Sequence, residues 1–124
     1  MNLIFISVFG VLGVLSRYSL DIFFLNKNQY LPTQTILANF IGCLIAGVLY
    51  SLITEKFGNT HLWSLAIIGF CGGLTTFSSF ALQAFQSIEQ GHLFKAYGYL
   101  LLFPFIGLLG IYIGMKCSLL LVNK

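Results

Sequence analysis

The stretch "GFCGGLTTFSSF", Gly69 to Phe80, decides how this chain folds. It lies inside a long apolar segment, yet it carries a glycine pair, two threonines, two serines and two spaced phenylalanines. A helix built only to cross a bilayer needs neither that polarity nor that backbone freedom. Gly72 and Gly73 can leave helical geometry at little steric cost. Carbonyls freed by such a break must find partners, because lipid supplies none. A bound cation or an opposing polar backbone would satisfy them. Past the break, Phe77 and Phe80 stand at i, i+3 and share a face, with the hydroxyls of Ser78 and Ser79 beside it. Either ring taken alone reads as ordinary packing.

The surrounding sequence sets the solvent. The chain has 124 residues, 58% hydrophobic and 7% charged, with a mean hydropathy of +0.95. A soluble surface of this size needs many more Lys, Glu, Asp and Arg. A soluble four-helix bundle would also show a polar face on every helix, and no such face is legible. The composition therefore implies an all-α integral membrane protein. "MNLIFISVFGVLGVL" reads as a first permanent span rather than a cleaved leader. It has no Lys or Arg ahead of the apolar run and no small-x-small site behind it. Cys43, Cys71 and Cys117 are an odd set embedded in apolar sequence, which argues against disulfides and metal ligation and leaves small-residue packing.

A hydrocarbon core of ~30 Å needs about 20 helical residues. Four segments meet that length, at about 3–25, 33–54, 62–88 and 94–122, so residues 1–124 read as a single four-helix transmembrane domain. The third helix is expected to be broken near Gly72–Thr76. The loops "NKNQYLP", "EKFGNTH" and "EQGH" are short and polar, which makes neighbouring helices antiparallel. Lys56 and Lys124 then fall on one side and Lys27 and Lys95 on the other, with Lys116 able to snorkel toward the first. Orientation normally follows an excess of Lys and Arg on the cytoplasmic side. A near-balanced ledger predicts weak orientation bias and leaves two readings open: insertion either way up, or an orientation set by one-residue differences. Two copies inserted oppositely can pair head to tail about an axis in the membrane plane, as inverted repeats do in larger transporters.

Ionisable residues inside the membrane usually mark function, and here they are few. Arg17 and Asp21 share a face at i, i+4 near the end of the first span. They are expected to pair structurally, with a vestibule lining as the alternative. No Asp or Glu falls in the middle of any span, which counts against transport driven by carboxylate protonation. Asn39 sits about a turn and a half into the second span, with Thr35 four residues earlier on the same face. Its amide must be satisfied, either by an interhelical hydrogen bond or by acting as a donor to a passing anion. Together with Phe77, Phe80, Ser78 and Ser79 it suggests a lining of positive ring edges and neutral donors. Such a lining suits a small, hard anion, whereas a ring of fixed cations would hold anions too tightly.

These residues resemble a known family. "GGLTTFSSF" is similar to the GGLTTFSTF signature of the small fluoride channels called Fluc or CrcB. "GVLGVLSRY" resembles the family's first-helix GxxGxxxRY pattern, and "PTQTILANFIGCLIAG" its second-helix stretch. The resemblance covers all four spans. It implies an antiparallel dual-topology homodimer in the plasma membrane with two fluoride pores, passive export of fluoride from the cytoplasm, and a structural sodium ion at the dimer centre. Carried over position by position, the carbonyls of Gly72 and Thr75 would hold sodium. Phe77 and Phe80 would line the pores with Asn39 and Thr35, and Ser78 and Ser79 would form a hydroxyl track. Arg17 would be the first-helix arginine, and Tyr99, or else Tyr97, the fourth-helix tyrosine. The implied partners are fluoride, a second copy and the lipid bilayer, with no nucleic acid. Two departures stand out: Gln83 where the family commonly has Glu, and Gln34 where Gly is usual.

Two rival functions fit the size. A small dual-topology multidrug exporter matches the four helices and balanced charge but lacks a mid-span carboxylate. A non-conducting assembly subunit would use the GxxxG patterns Gly69–Gly73 and Gly110–Gly114 only to dock helices. An enzyme is not expected, since no nucleophile is paired with a base.

Overall fold

The computed structural model describes residues 2–24, 32–57 and 65–122, almost all of them helical. Helix α1 runs Asn2–Phe24 and α2 runs Thr33–Leu52, ending in a π-helical turn, Ile53–Phe57. The third span opens with a second π-helical stretch, Ile67–Cys71, and continues as a short α3, Gly72–Leu74. After extended Thr75 and Thr76 it resumes as α4, Phe77–Glu89. Helix α5, Leu93–Val122, carries Pro104 in its interior without breaking. Among the described residues, four spans are long and apolar enough to cross a bilayer: Leu3–Phe24, Thr33–Glu55, Ile67–Glu89 and Leu93–Leu120. They match the expected segments to within a few residues, although residues 25 and 62–64 lie outside the described ones. The π-helical stretches carry no legible sequence signal. They fall at the end of the second span and three residues ahead of the break, the kind of place where such irregularities gather.

The ends of these helices are closed by local chemistry. Pro32 precedes α2, and its carbonyl accepts the N–H groups of Thr35 and Ile36 at 3.1 and 3.2 Å. At the other end of α4, Gly91 adopts φ 77°, which favours glycine. Its N–H donates to the Ile88 carbonyl and the His92 N–H to the Ser87 carbonyl, both at 2.9 Å. This pair of bonds is a Schellman closure, and it lets α5 start within four residues of the end of α4.

Packing runs along two glycine seams. On one, α2 lies against α5. A Cβ on Gly47 would run into the Ile111 carbonyl, one on Gly114 into the Leu44 carbonyl, and one on Gly110 would sit 3.0 Å from the Phe40 carbonyl. On the other, α1 lies against the first half of the third span. A Cβ on Gly13 would meet the Phe70 carbonyl, and one on Gly73 would lie 2.6 Å from the Gly10 carbonyl. Lipid tails are as apolar as leucine, so close backbone approach rather than water exclusion drives such docking. Both GxxxG patterns thus serve helix contact, which a channel needs as much as an assembly subunit does.

Most of α1 otherwise faces outward through Leu3, Ile4, Val8, Val11, Leu12 and Leu15. Its serines do not disturb that apolar face. Ser7, Ser16 and Ser19 each donate to the carbonyl four residues back, at 2.8 to 2.9 Å, so none asks the lipid for a partner.

The seams predict an asymmetry between sites on one helix. Gly114→Val should push α5 off α2 and lower stability by about 1–3 kcal/mol, the usual cost of overpacking. Leu109→Val, on an exposed stretch of the same helix, should stay within about 0.5 kcal/mol. Thermal unfolding of both purified variants in the same detergent checks the contrast.

Candidate functional site

The break lies inside the expected stretch, but its residues are not the glycines. Gly72 is helical at φ −64° and ψ −35°, and Gly73 serves the close approach to Gly10. The extended residues are Thr75, at φ −81° and ψ 156°, and Thr76, at φ −151° and ψ 120°. The correction has a physical reason: β-branched side chains favour extended backbone, while Gly73 is spent on packing and Gly72 stays in the helix.

Asn39 splints this break. The Thr76 N–H, which an unbroken helix would give to the Gly72 carbonyl, donates instead to Asn39 Oδ1 at 3.1 Å. Asn39 Nδ2 donates to the Thr35 carbonyl at 2.8 Å and to the Thr76 carbonyl at a longer 3.4 Å. On the near side, the Thr75 N–H and hydroxyl both donate to the Cys71 carbonyl, at 2.9 and 2.8 Å. On the far side, Thr76 caps α4: its Oγ1 accepts the Ser79 N–H at 3.2 Å and lies 3.2 Å from the hydroxyls of both Ser78 and Ser79. Of the two roles open to the Asn39 amide, interhelical bonding is therefore visible in the single chain.

Beside the splint stands an aromatic stack. Phe80 is 3% exposed and lies nearly parallel to Phe103, ring centroids 3.8 Å apart and planes 14° apart. Tyr99 leans on the same ring at 4.9 Å and Phe77 at 5.7 Å. Tyr99 is 6% exposed and Tyr97 is 58% exposed, and of the two it is Tyr99 that packs on Phe80. Its hydroxyl donates to Gln83 Oε1 at 3.0 Å, and Gln83 Nε2 donates to Thr35 Oγ1 at 3.0 Å. Gln83 thus ties α4 to both α2 and α5.

The structure brings Thr35, Asn39, Ser78, Ser79, Phe80 and Tyr99 into one region around the break. Phe77 is 76% exposed, with its ring reaching Phe80 from the outer surface. Gly72 is exposed as well, with nothing within 4 Å of where a Cβ would be. Arg17 is half-buried, and its Nε is enclosed without a hydrogen-bond partner. The expected pairing with Asp21 is absent among the described residues, because Asp21 sits exposed near the end of α1 while Arg17 is partly enclosed. Lys116 stays exposed, its ammonium 5.7 Å from the centre of the Tyr112 ring, and Lys27 and Lys124 lie outside the described residues.

Residues 4–115 match the family model described as CrcB-like protein, Camphor Resistance (CrcB). The chain belongs to this family. Relatives named Fluoride-specific ion channel FluC agree with that placement. One from Coxiella burnetii (strain Dugway 5J108-111) is 40% identical over 99 residues, covering 77% of this chain and 80% of the relative. One from Pseudomonas fluorescens is 37% identical over 116 residues, covering 91% and 93%. One from Desulfotalea psychrophila is 34% identical over 119 residues, covering 95% and 92%. As a CrcB family member the chain is a multi-pass membrane protein, and the multidrug-exporter alternative finds no support in these matches.

Sequence reasoning missed Phe103 and the capping role of Thr76. Phe103 stands four residues after Tyr99, on the same helix face, which is the signal that could have found it. Thr76 three residues before Ser79 at a helix start is a capping pattern.

The splint makes a measurable claim. Asn39→Ala removes the acceptor of the part-buried Thr76 N–H and should cost about 1–3 kcal/mol, the penalty for stranding a donor away from water. Thermal unfolding should register that loss, and faster amide exchange at Thr76 should locate it at the break.

Proposed function

We propose that this protein is a fluoride-selective channel that lets fluoride leave the cytoplasm passively, working as an antiparallel dual-topology homodimer in the plasma membrane. The observation that carries the proposal is a donor-rich, uncharged site in the middle of a span, within a chain whose relatives bear the name of fluoride channels. The chain has three acidic residues, Asp21, Glu55 and Glu89, and each lies at or near the end of its span. No carboxylate therefore stands at the break to repel an anion.

The side chains suit the ion. Stacking on Phe103 covers a face of Phe80, so an anion that reaches this buried ring would meet its electropositive edge. Ser78 and Ser79 bring hydroxyl donors at the start of α4, where helix ends favour negative charge. The long Asn39 Nδ2 bond to Thr76 is weak enough to be exchanged for a bond to an anion, while the shorter bond to Thr35 keeps the amide oriented.

Features of the single chain favour a second copy. Gly72 and Phe77 lie open on its surface next to a helix break, and backbone acceptors there need a partner other than lipid. The Gly72 carbonyl lacks the Thr76 N–H, and the Thr75 carbonyl lacks the Ser79 N–H, which goes to Thr76 Oγ1 instead. Released main-chain oxygens are hard donors of the kind that hard cations take. The two carbonyls from each copy would hold sodium where the copies meet, and the ion would supply the charge that satisfies all of them.

Export follows from acid–base chemistry. Hydrogen fluoride crosses membranes as a neutral molecule and ionises in a near-neutral cytoplasm, trapping the anion inside. An inside-negative potential then drives fluoride out through an open pore with ~2.3 kcal/mol per charge at 100 mV. No fuel is required.

The purified protein in liposomes should release fluoride rapidly and chloride negligibly under an ion-selective electrode; equal chloride flux would overturn the selectivity. Phe80→Ile, and separately Asn39→Asp, which replaces the donor by an acceptor, should each cut fluoride flux by about tenfold or more, ~1.4 kcal/mol in the barrier. Both variants should still elute as the parent assembly. If both conduct like the parent, the pore assignment is wrong.

A further inference from the structure

Counting protons around Gln83 gives a result that no motif contains. Tyr99 has one hydroxyl proton, and it goes to Gln83 Oε1 at 3.0 Å. Gln83 Nε2 brings its proton to Thr35 Oγ1 at 3.0 Å. A phenol is a stronger hydrogen-bond donor and a weaker acceptor than an alkanol. The pairing of Tyr99 with the amide oxygen and of Thr35 with the amide nitrogen is therefore the favoured direction of the chain. The Thr35 hydroxyl consequently accepts, and its own proton has no acceptor among the described residues. Thr35 is only 4% exposed, so among the described residues this is a buried donor without a partner, a costly arrangement unless something else arrives to use it.

We propose that Gln83 is a positioning residue: its amide, oriented by Tyr99, occupies a lone pair of Thr35 Oγ1 and so leaves the Thr35 proton as the donor offered to a permeating anion. The inference rests on the fluoride-channel reading and adds to it the device that sets donor polarity. Thr35 touches the ion; Gln83 acts through Thr35. The geometry supports this division, because the same Thr35 supplies its carbonyl to Asn39 Nδ2 at 2.8 Å. One residue of α2 is thereby engaged by both polar amides of the site, and among the described residues its hydroxyl proton has no acceptor. A carboxamide suits the task because it carries a donor and an acceptor at once. An apolar side chain of equal length offers neither.

The test is a double-mutant cycle on fluoride flux from liposomes, using the full chain. Gln83→Met keeps length and loses both hydrogen bonds, and it should lower fluoride flux by about tenfold. Thr35→Val removes the offered proton and should lower flux at least as far, while Thr35→Ser keeps the hydroxyl and should stay within about threefold of the parent. If Gln83 acts through Thr35, the double variant Gln83→Met with Thr35→Val should match Thr35→Val alone to within about twofold. A flux reduced by the product of the two single effects would show that Gln83 works independently of Thr35 and would overturn the inference. So would parental flux in Gln83→Met when thermal unfolding shows the variant folded. A merely structural role would lower the unfolding temperature of Gln83→Met and add to the Thr35→Val effect. A parent that passes no fluoride removes the channel reading and this inference with it, whereas a conducting parent with additive variants removes the inference alone.

Discussion

Everything in this fold answers to one constraint: a backbone polar group placed in hydrocarbon must be satisfied by protein, because nothing else is there to do it. The third span violates helical regularity at Thr75 and Thr76, and so must recover from neighbours what the helix gives up. Asn39 supplies an acceptor to the Thr76 N–H and a donor to its carbonyl. Thr76 then turns its own hydroxyl to cap the helix that follows. A break that would be intolerable facing lipid becomes a fixed corner of the protein. Polar side chains gather there because the backbone requires them, and their concentration makes the same corner suitable for an ion.

The two glycine seams serve that corner. Gly10 and Gly13 bring α1 against Phe70 and Gly73, which steadies the segment leading into the break. Gly47, Gly110 and Gly114 bring α2 against α5, which places Asn39 and Thr35 on one wall and Tyr99 and Phe103 on another. Gln83 crosses between the walls with one bond to each. Close packing in the apolar parts of the bundle is what allows bonds of about 3 Å in the polar part, since a shift of half an ångström along either seam would be felt at the amide.

Much of this was legible in the sequence, and the rest was not for identifiable reasons. Membrane class and the spans follow from apolar runs with short polar loops, and the break from a dense cluster of small and hydroxylated residues. Which residues carry the extended torsions was not legible. Glycine can serve either conformational freedom or close approach, and only three-dimensional contact with Gly10 shows that Gly73 serves the second. The Asn39 splint joins residues 37 positions apart, and no local pattern reports such a contact. Tyr97 and Tyr99 are indistinguishable by composition; their burial separates them. The pairing expected of Arg17 and Asp21 followed helical spacing, but spacing gives proximity of a helix face and not the depth at which each side chain rests.

The splint also bears on how the chain is made. The third span is the least apolar of the four, and by itself it would enter the bilayer with an unanswered N–H and carbonyl at Thr76. Its answering group belongs to the span synthesised just before it. The third span therefore finds the partner for its Thr76 backbone only once the second lies beside it. A substitution at Asn39 would then act on yield before it acted on the finished protein, by leaving the third span without the partner for its Thr76 backbone.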